Sequence, residues 1–215
     1  MFNIVLFIVF DVVIRWSWGD DAMNPETMDH RVRVTYEMLK QALYRLIKEK
    51  PKSDITIKEL CYEAKINRTT FYAHFQGVND LVEHLERELW VDIFVILKRS
   101  EKDKTYFADR IFLDIYELSA QYKELFHLLL IQNADPLFLE KVYNLGRSAF
   151  QNLYNRPKGN KNPIQMEYYY ISVLNSFVGI LRQWMTHGMK ESVHEIADIT
   201  KRIITRGIYF TIEEN

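Results

Sequence analysis

Turn-forming residues are scarce in this chain: seven glycines and five prolines serve 215 residues, about half the combined share of roughly 12% usual in soluble proteins. A polypeptide with so few places to reverse direction is restricted to long helices joined by few tight turns. A β-sandwich needs a turn residue at every hairpin, and a nucleotide-binding loop needs clustered glycines, so the composition disfavours both. With 48% hydrophobic residues and a net charge of −1, the chain can bury a real core. The single cysteine, Cys61, rules out an internal disulfide framework and any multi-cysteine zinc or iron–sulfur site, and points to a reducing, cytoplasmic setting.

Residues 1–28 read as an extension dispensable to the fold. Met1 to Ile14 is apolar but interrupted by Asp11, and it is shorter than the roughly 20 residues a bilayer span needs. No stable membrane insertion is expected. The internal methionines Met23 and Met28 leave two readings open: an upstream extension from a misplaced start codon, or a weak membrane-touching or packing segment. Leu39, Leu43, Leu46 and Ile47 then mark a helix over Arg31 to Lys48, closed ahead of Pro51. Thr56 three residues before Glu59 is a capping-box pattern opening a short second helix, with Ile57, Leu60, Cys61 and Ala64 on its buried face. Asn67 caps a third helix over Arg68 to Phe75, burying Phe71 and Phe75. A longer helix runs from Val78 to about Lys98, its leucines four apart, toward a charged joint at Ser100 to Lys104. Further helices are expected around Phe107 to Leu118, around Leu125 to Leu129, over Leu137 to Tyr154, over Ile164 to His187, and over Glu191 to Thr211. The Arg156 to Pro163 stretch is a flexible loop, and Gly188 a helix end.

Two short helices across a three-residue turn, supported by a preceding long one, form a helix-turn-helix arrangement, whose second short helix enters the DNA major groove. Between Arg31 and Val78 there are ten basic and five acidic residues, a surplus of five in a chain of net −1, as phosphate binding requires. Catalytic and metal signatures are absent: there is no Gly-x-Ser-x-Gly, His-Glu-x-x-His or phosphate-loop pattern, and the six histidines are never three or four apart. No catalytic residue, metal or cofactor is assigned.

Ile55 to Cys61, Ile66 to Phe75 with its Thr-Phe-Tyr-x-His-Phe run, and Asn79-Asp80-Leu81 together resemble the N-terminal domain of TetR/AcrR-type bacterial transcriptional regulators. More weakly, Gly179, Trp184, Gly188, Met189 and Ser192 are similar to the C-terminal domain of one branch. The resemblance implies an all-α regulator: an N-terminal three-helix helix-turn-helix head (29–78), a linking helix (79–104), and a helical C-terminal body for effector binding and dimerisation (105–215). Two positions depart from the family. Lys65 stands where glycine is common in the turn, which would place it in the left-handed region, and Val78 stands where a phosphate-contacting lysine is common. Asn67, Arg68, Thr69 and Thr70 lie at the start of the recognition helix, where arginine can bond guanine and threonine methyls can touch thymine. Tyr72 and Thr56 can give hydroxyls to phosphates. Lys65 and His74 complete the expected DNA-binding set, although histidine satisfied by backbone is an equal reading for His74.

The body is rich in aromatic rings, most of them core. A gap among them could accept an apolar small molecule, as TetR-like proteins generally do, with Phe112, Tyr116, Tyr143 and Trp184 as candidates; a protein partner is the other expected effector. Ile171, Leu174, Val178 and Leu181, with Ile196, Ile199 and Ile203, form apolar stripes expected to pair two copies. The functional expectation is a ligand-responsive repressor that binds a near-palindromic double-stranded DNA operator as a homodimer. The rivals are a helical protein-interaction module without DNA binding and a helical enzyme.

Overall fold

In the computed structural model the described residues are 30–102, 110–132, 136–154 and 162–207, and every element among them is helical. The N-terminal extension, and most of the Arg156 to Pro163 loop, lie outside them. The chain divides into two compact units at Val91/Asp92. The first holds α1 (His30–Glu49), a single 3₁₀ turn at Lys52–Asp54, α2 (Ile57–Glu63), α3 (Arg68–Tyr72) and the start of α4 (Val78–Lys102). The second holds the rest of α4, α5 (Ile111–Gln121), α6 (Lys123–Phe126) with a π-helical turn at His127–Gln132, α7 (Pro136–Tyr154), α8 (Pro163–Thr186) and α9 (Val193–Arg206).

Local chemistry sets these boundaries. Thr56 and Glu59 form a complete capping box at the start of α2, and Ser192 and Glu195 form another at the start of α9, each satisfying two otherwise orphaned donors. The Ser192 cap starts α9 at Val193, two residues later than the expected Glu191. α9 ends at Arg206, where Gly207 turns to φ 84°. α3 is shorter than the sequence pattern implies: it closes at Tyr72, although the Phe75 amide still reaches the Phe71 carbonyl at 2.9 Å. Asp80 draws the chain away by accepting the Gln76 amide at 2.8 Å. α4 does not stop before the expected joint but continues to Lys102, since Ser100, Glu101 and Lys102 include no glycine or proline to end it.

The head's core is built from Leu39 and Leu43 of α1, Leu60 and Cys61 of α2, Phe71 and Phe75, and Leu81, Leu85 and Leu89 of α4. The body's core is more aromatic. Tyr116 stands edge-on to Trp184 at 5.3 Å and to Phe177 at 5.6 Å, while Phe112 packs on Phe177 at 5.7 Å. A hydrogen bond of 2.8 Å between the Tyr116 and Thr200 hydroxyls ties α5 to α9. Burial raises the Tyr116 phenol to a pKa of about 12, a shift that the Thr200 bond opposes. Arg182 of α8 gives its Nε proton to the Leu130 carbonyl at 2.8 Å, serving one of the acceptors exposed by the π-helical turn. No described helix is long and apolar enough to cross a membrane.

Candidate nucleic-acid interface

The helix-turn-helix turn is set by how α2 ends. Ala64 is the last near-helical residue; the Lys65 amide then bonds the Tyr62 carbonyl at 3.1 Å and the Ile66 amide bonds the Cys61 carbonyl at 3.0 Å. These two bonds make a Schellman ending, which requires a left-handed residue between them. Lys65 takes that conformation at φ 57°. The extended Asn67 then starts α3, its side-chain oxygen accepting from the Thr70 amide at 2.6 Å and from the Thr70 hydroxyl at 2.9 Å.

Those bonds decide which expected contacts remain available. The Thr70 proton is committed to Asn67, so Thr70 offers outward only its methyl and its remaining acceptor capacity; Asn67 keeps its amide donors. Thr56 is engaged in the same way. Its hydroxyl donates to a Glu59 carboxylate oxygen at 2.7 Å and accepts from the Glu59 amide at 3.3 Å, so its proton is not free for a phosphate. Lys50 bonds the other Glu59 oxygen at 2.7 Å, and this bond, with those from Thr56, pulls the Glu59 carboxyl down to a pKa of about 2.

Lys65, Arg68, Thr69 and Tyr72 are exposed, and among the described residues none of these side chains has a hydrogen-bond or ion-pair partner. Tyr72 is 58% exposed, with its ring edge-on to the buried Phe71 at 5.7 Å, so the core fixes the ring and leaves the hydroxyl in solvent. His74 is half-buried. The position that sequence reasoning passed over is Tyr62, 85% exposed on α2. Its signal was present: Ile57, Leu60, Cys61 and Ala64 define the buried face, and Tyr62 falls outside it.

Beneath this surface the head is rigidly assembled. Arg45 of α1 pairs with Glu63, and Lys50, just beyond α1, pairs with Glu59, joining the two helices through charges on one side of α2. On α4, His84 is buried against Tyr36 and Phe75 at ring distances of 5.1 and 6.0 Å. Arg87 lies 3.1 Å from its Nδ1, which therefore accepts. Burial, with help from Arg87 and against Asp80, lowers the His84 pKa to about 4 and keeps the ring neutral. Burial likewise pushes the Cys61 thiol up, which suits a core position rather than a reactive one.

The effector and pairing candidates lie in the body. Phe112, Tyr116 and Trp184 share the aromatic cluster around Phe177, and the polar tips of the last two are already used, Trp184 donating to the Glu191 carbonyl at 2.9 Å. Tyr143 belongs to a different network: its hydroxyl donates to Asn175, and its carbonyl accepts from Tyr170. Of the pairing residues, Val178, Leu181 and Ile196 turn inward and are buried within the single chain, whereas Ile171 is exposed and Leu174, Ile199 and Ile203 are half-buried.

Residues 106–206 match the family model TetR_C_8, described as a transcriptional regulator C-terminal region. No curated protein matches the chain. Among solved structures, a TetR/AcrR-family transcriptional regulator from Aquifex aeolicus VF5 is similar with a TM-score of 0.59 at 17% identity, over 78% of this chain and 96% of that one. A TetR transcriptional regulator from Streptococcus agalactiae 2603V is similar with a TM-score of 0.57 at 21% identity, over 84% and 99%. The dihydroxyacetone kinase operon activator DhaS is similar with a TM-score of 0.54 at 13% identity, over 82% and 97%.

Proposed function

We propose that this chain, whose residues 106–206 match a transcriptional regulator C-terminal region and whose fold is similar to those of TetR-type regulators, is a repressor whose head binds a near-palindromic operator as part of a homodimer and whose body responds to an effector. One observation carries the DNA-binding part: Lys65, Arg68, Thr69 and Tyr72 are presented to solvent without partners from a turn and helix locked by caps and core. Arg68 reads guanine and the threonine methyls read thymine, while Lys65 and Tyr72 hold phosphates. Thr56 contributes by ordering the start of α2 rather than through its hydroxyl.

Pairing is assigned to the outward side of α8 with the half-buried isoleucines of α9. Ile164, Tyr168 and Ile171 are exposed there, and Gly179 has open space where a side chain would stand, which favours the close approach of a second helix. An apolar effector would meet Phe112 or Phe177, whose rings carry no polar tip, whereas the tips of Tyr116, Tyr143 and Trp184 are internally bonded. For it to release DNA, its affinity must differ between the DNA-bound and free arrangements.

The test is selection of bound sequences from random duplexes, followed by binding measurements on variants. Arg68→Ala should cost about 1–3 kcal/mol and relax preference at one base pair. Tyr72→Phe should weaken all sequences alike. Specific binding at wild-type strength in both variants would refute the assignment, and a monodisperse monomer at micromolar concentration would refute the homodimer.

A further inference from the structure

The polar surface of α2 is sorted by charge in a way that one helix wheel alone does not explain. Its two acids, Glu59 and Glu63, lie on one flank, where Lys50 and Arg45 neutralise them. On the other flank, spaced four and three residues apart, stand Lys58, Tyr62 and Lys65, all exposed. Among the described residues none of the three has an ion pair or a side-chain hydrogen bond. Opposite charges were available within the same seven-residue helix, yet both are turned toward α1.

Two features of this flank run against folding economy. Tyr62 leaves a large ring 85% exposed, and Lys65 occupies the left-handed position of a Schellman ending at φ 57°, where glycine carries no strain. The body places glycine at the equivalent position, where α8 ends with Gly188 at φ 83°, its amide bonding the Met185 carbonyl at 3.1 Å, while Met189, one residue later and left-handed at φ 56°, bonds the Trp184 carbonyl through its amide at 2.9 Å. A strained lysine beside an exposed tyrosine and a second unpaired lysine is a surface suited to the sugar-phosphate backbone, which takes ammonium and phenol donors without regard to sequence.

We propose that Lys58, Tyr62 and Lys65 form a second row of backbone contacts, extending the interface from α3 along one flank of α2, with Lys65 retained at a conformational cost for the charge it places at the turn. The proposal rests on the head binding DNA as described above. The row fixes the position of the head on the duplex and does not read bases.

The experiment measures retention on a mixed-sequence duplex across a salt series, together with melting temperature, for the wild type, Lys65→Gly, Lys65→Arg, Tyr62→Phe and the double variant Lys58→Ala/Lys65→Gly. Lys65→Gly should melt about 2–4 °C higher as the strain is removed, yet bind every sequence more weakly, with a salt slope shallower by about 0.9. Lys65→Arg should keep the wild-type slope. Tyr62→Phe should weaken all sequences alike at unchanged slope, and the double variant should lose about 1.8 units of slope. A double variant with the wild-type slope overturns the proposal while leaving DNA binding by α3 intact. If the wild type itself shows no salt-dependent retention, the DNA-binding reading fails, and the proposal with it.

Discussion

The α2–α3 turn of the head and the α8–α9 turn of the body are built to the same backbone plan with different residues at the critical place. Each leading helix ends in a Schellman pair of hydrogen bonds, and a polar N-cap with an extended backbone starts the helix that follows. In the body the left-handed position between the two bonds is Gly188, followed by Met189 at φ 56°; in the head it is Lys65. At that position the body follows backbone preference, whereas the head departs from it and carries a positive charge three residues before Arg68. Departures from local preference tend to gather where function constrains the residue.

Acidification should separate the two units most strongly. His84 has a folded pKa of about 4 against an ordinary value of 6.5, so below about pH 6.5 the unfolded chain takes up a proton that the native head refuses. The stability this neutral ring contributes is present above that pH and is lost as pH falls toward 4, amounting to on the order of 3 kcal/mol. The body's described histidines, His127, His187 and His194, are exposed rather than buried. Thermal melts at pH 7 and pH 4.5, followed by hydrogen exchange, should show head amides losing protection first. His84→Phe should flatten that difference, and an equal acid response in both units would count against the assignment.

Exchanging the turn residues tests the comparison directly. Gly188→Lys places in the body what the head already tolerates, and with open space around Gly188 the cost is backbone strain alone, about 1–2 kcal/mol. Its melting temperature should fall, and duplex affinity measured well below the melt should be unchanged. A neutral effect on stability would mean that a left-handed lysine is unstrained in such a turn, removing the cost argued for Lys65.

The smallest effect expected is at the two capping boxes. Ser192→Ala and Thr56→Ala should each cost about 1 kcal/mol, but only Thr56→Ala should also weaken duplex binding, because it loosens the start of α2 and the Glu59 carboxylate that holds Lys50. Chemical denaturation of both variants alongside duplex titration distinguishes them. Equal loss of DNA affinity in both would assign the effect to stability alone.

Much of this organisation is local and was therefore legible in the residues themselves. The scarcity of glycine and proline implied helices; Thr56 with Glu59 and Asn67 before Arg68 located two helix starts; and spacing placed Phe71, Phe75 and Cys61 in the core. The left-handed Lys65 also followed from sequence, but through a family resemblance rather than from the lysine. Packing between helices determined the rest. Apolar periodicity marked Ile171, Leu174, Val178 and Leu181 as one stripe on α8 without saying which of them face inward, since each is water-averse by itself; in the folded body Val178 and Leu181 are buried and Ile171 stays exposed. Likewise, Thr56 and Thr70 carry the same hydroxyl in any conformation, and only the folded head commits those protons to Glu59 and Asn67. The flank bearing Lys58, Tyr62 and Lys65 depended on tertiary structure for the same reason: whether a charge is neutralised or left for a partner is decided by what another helix places beside it.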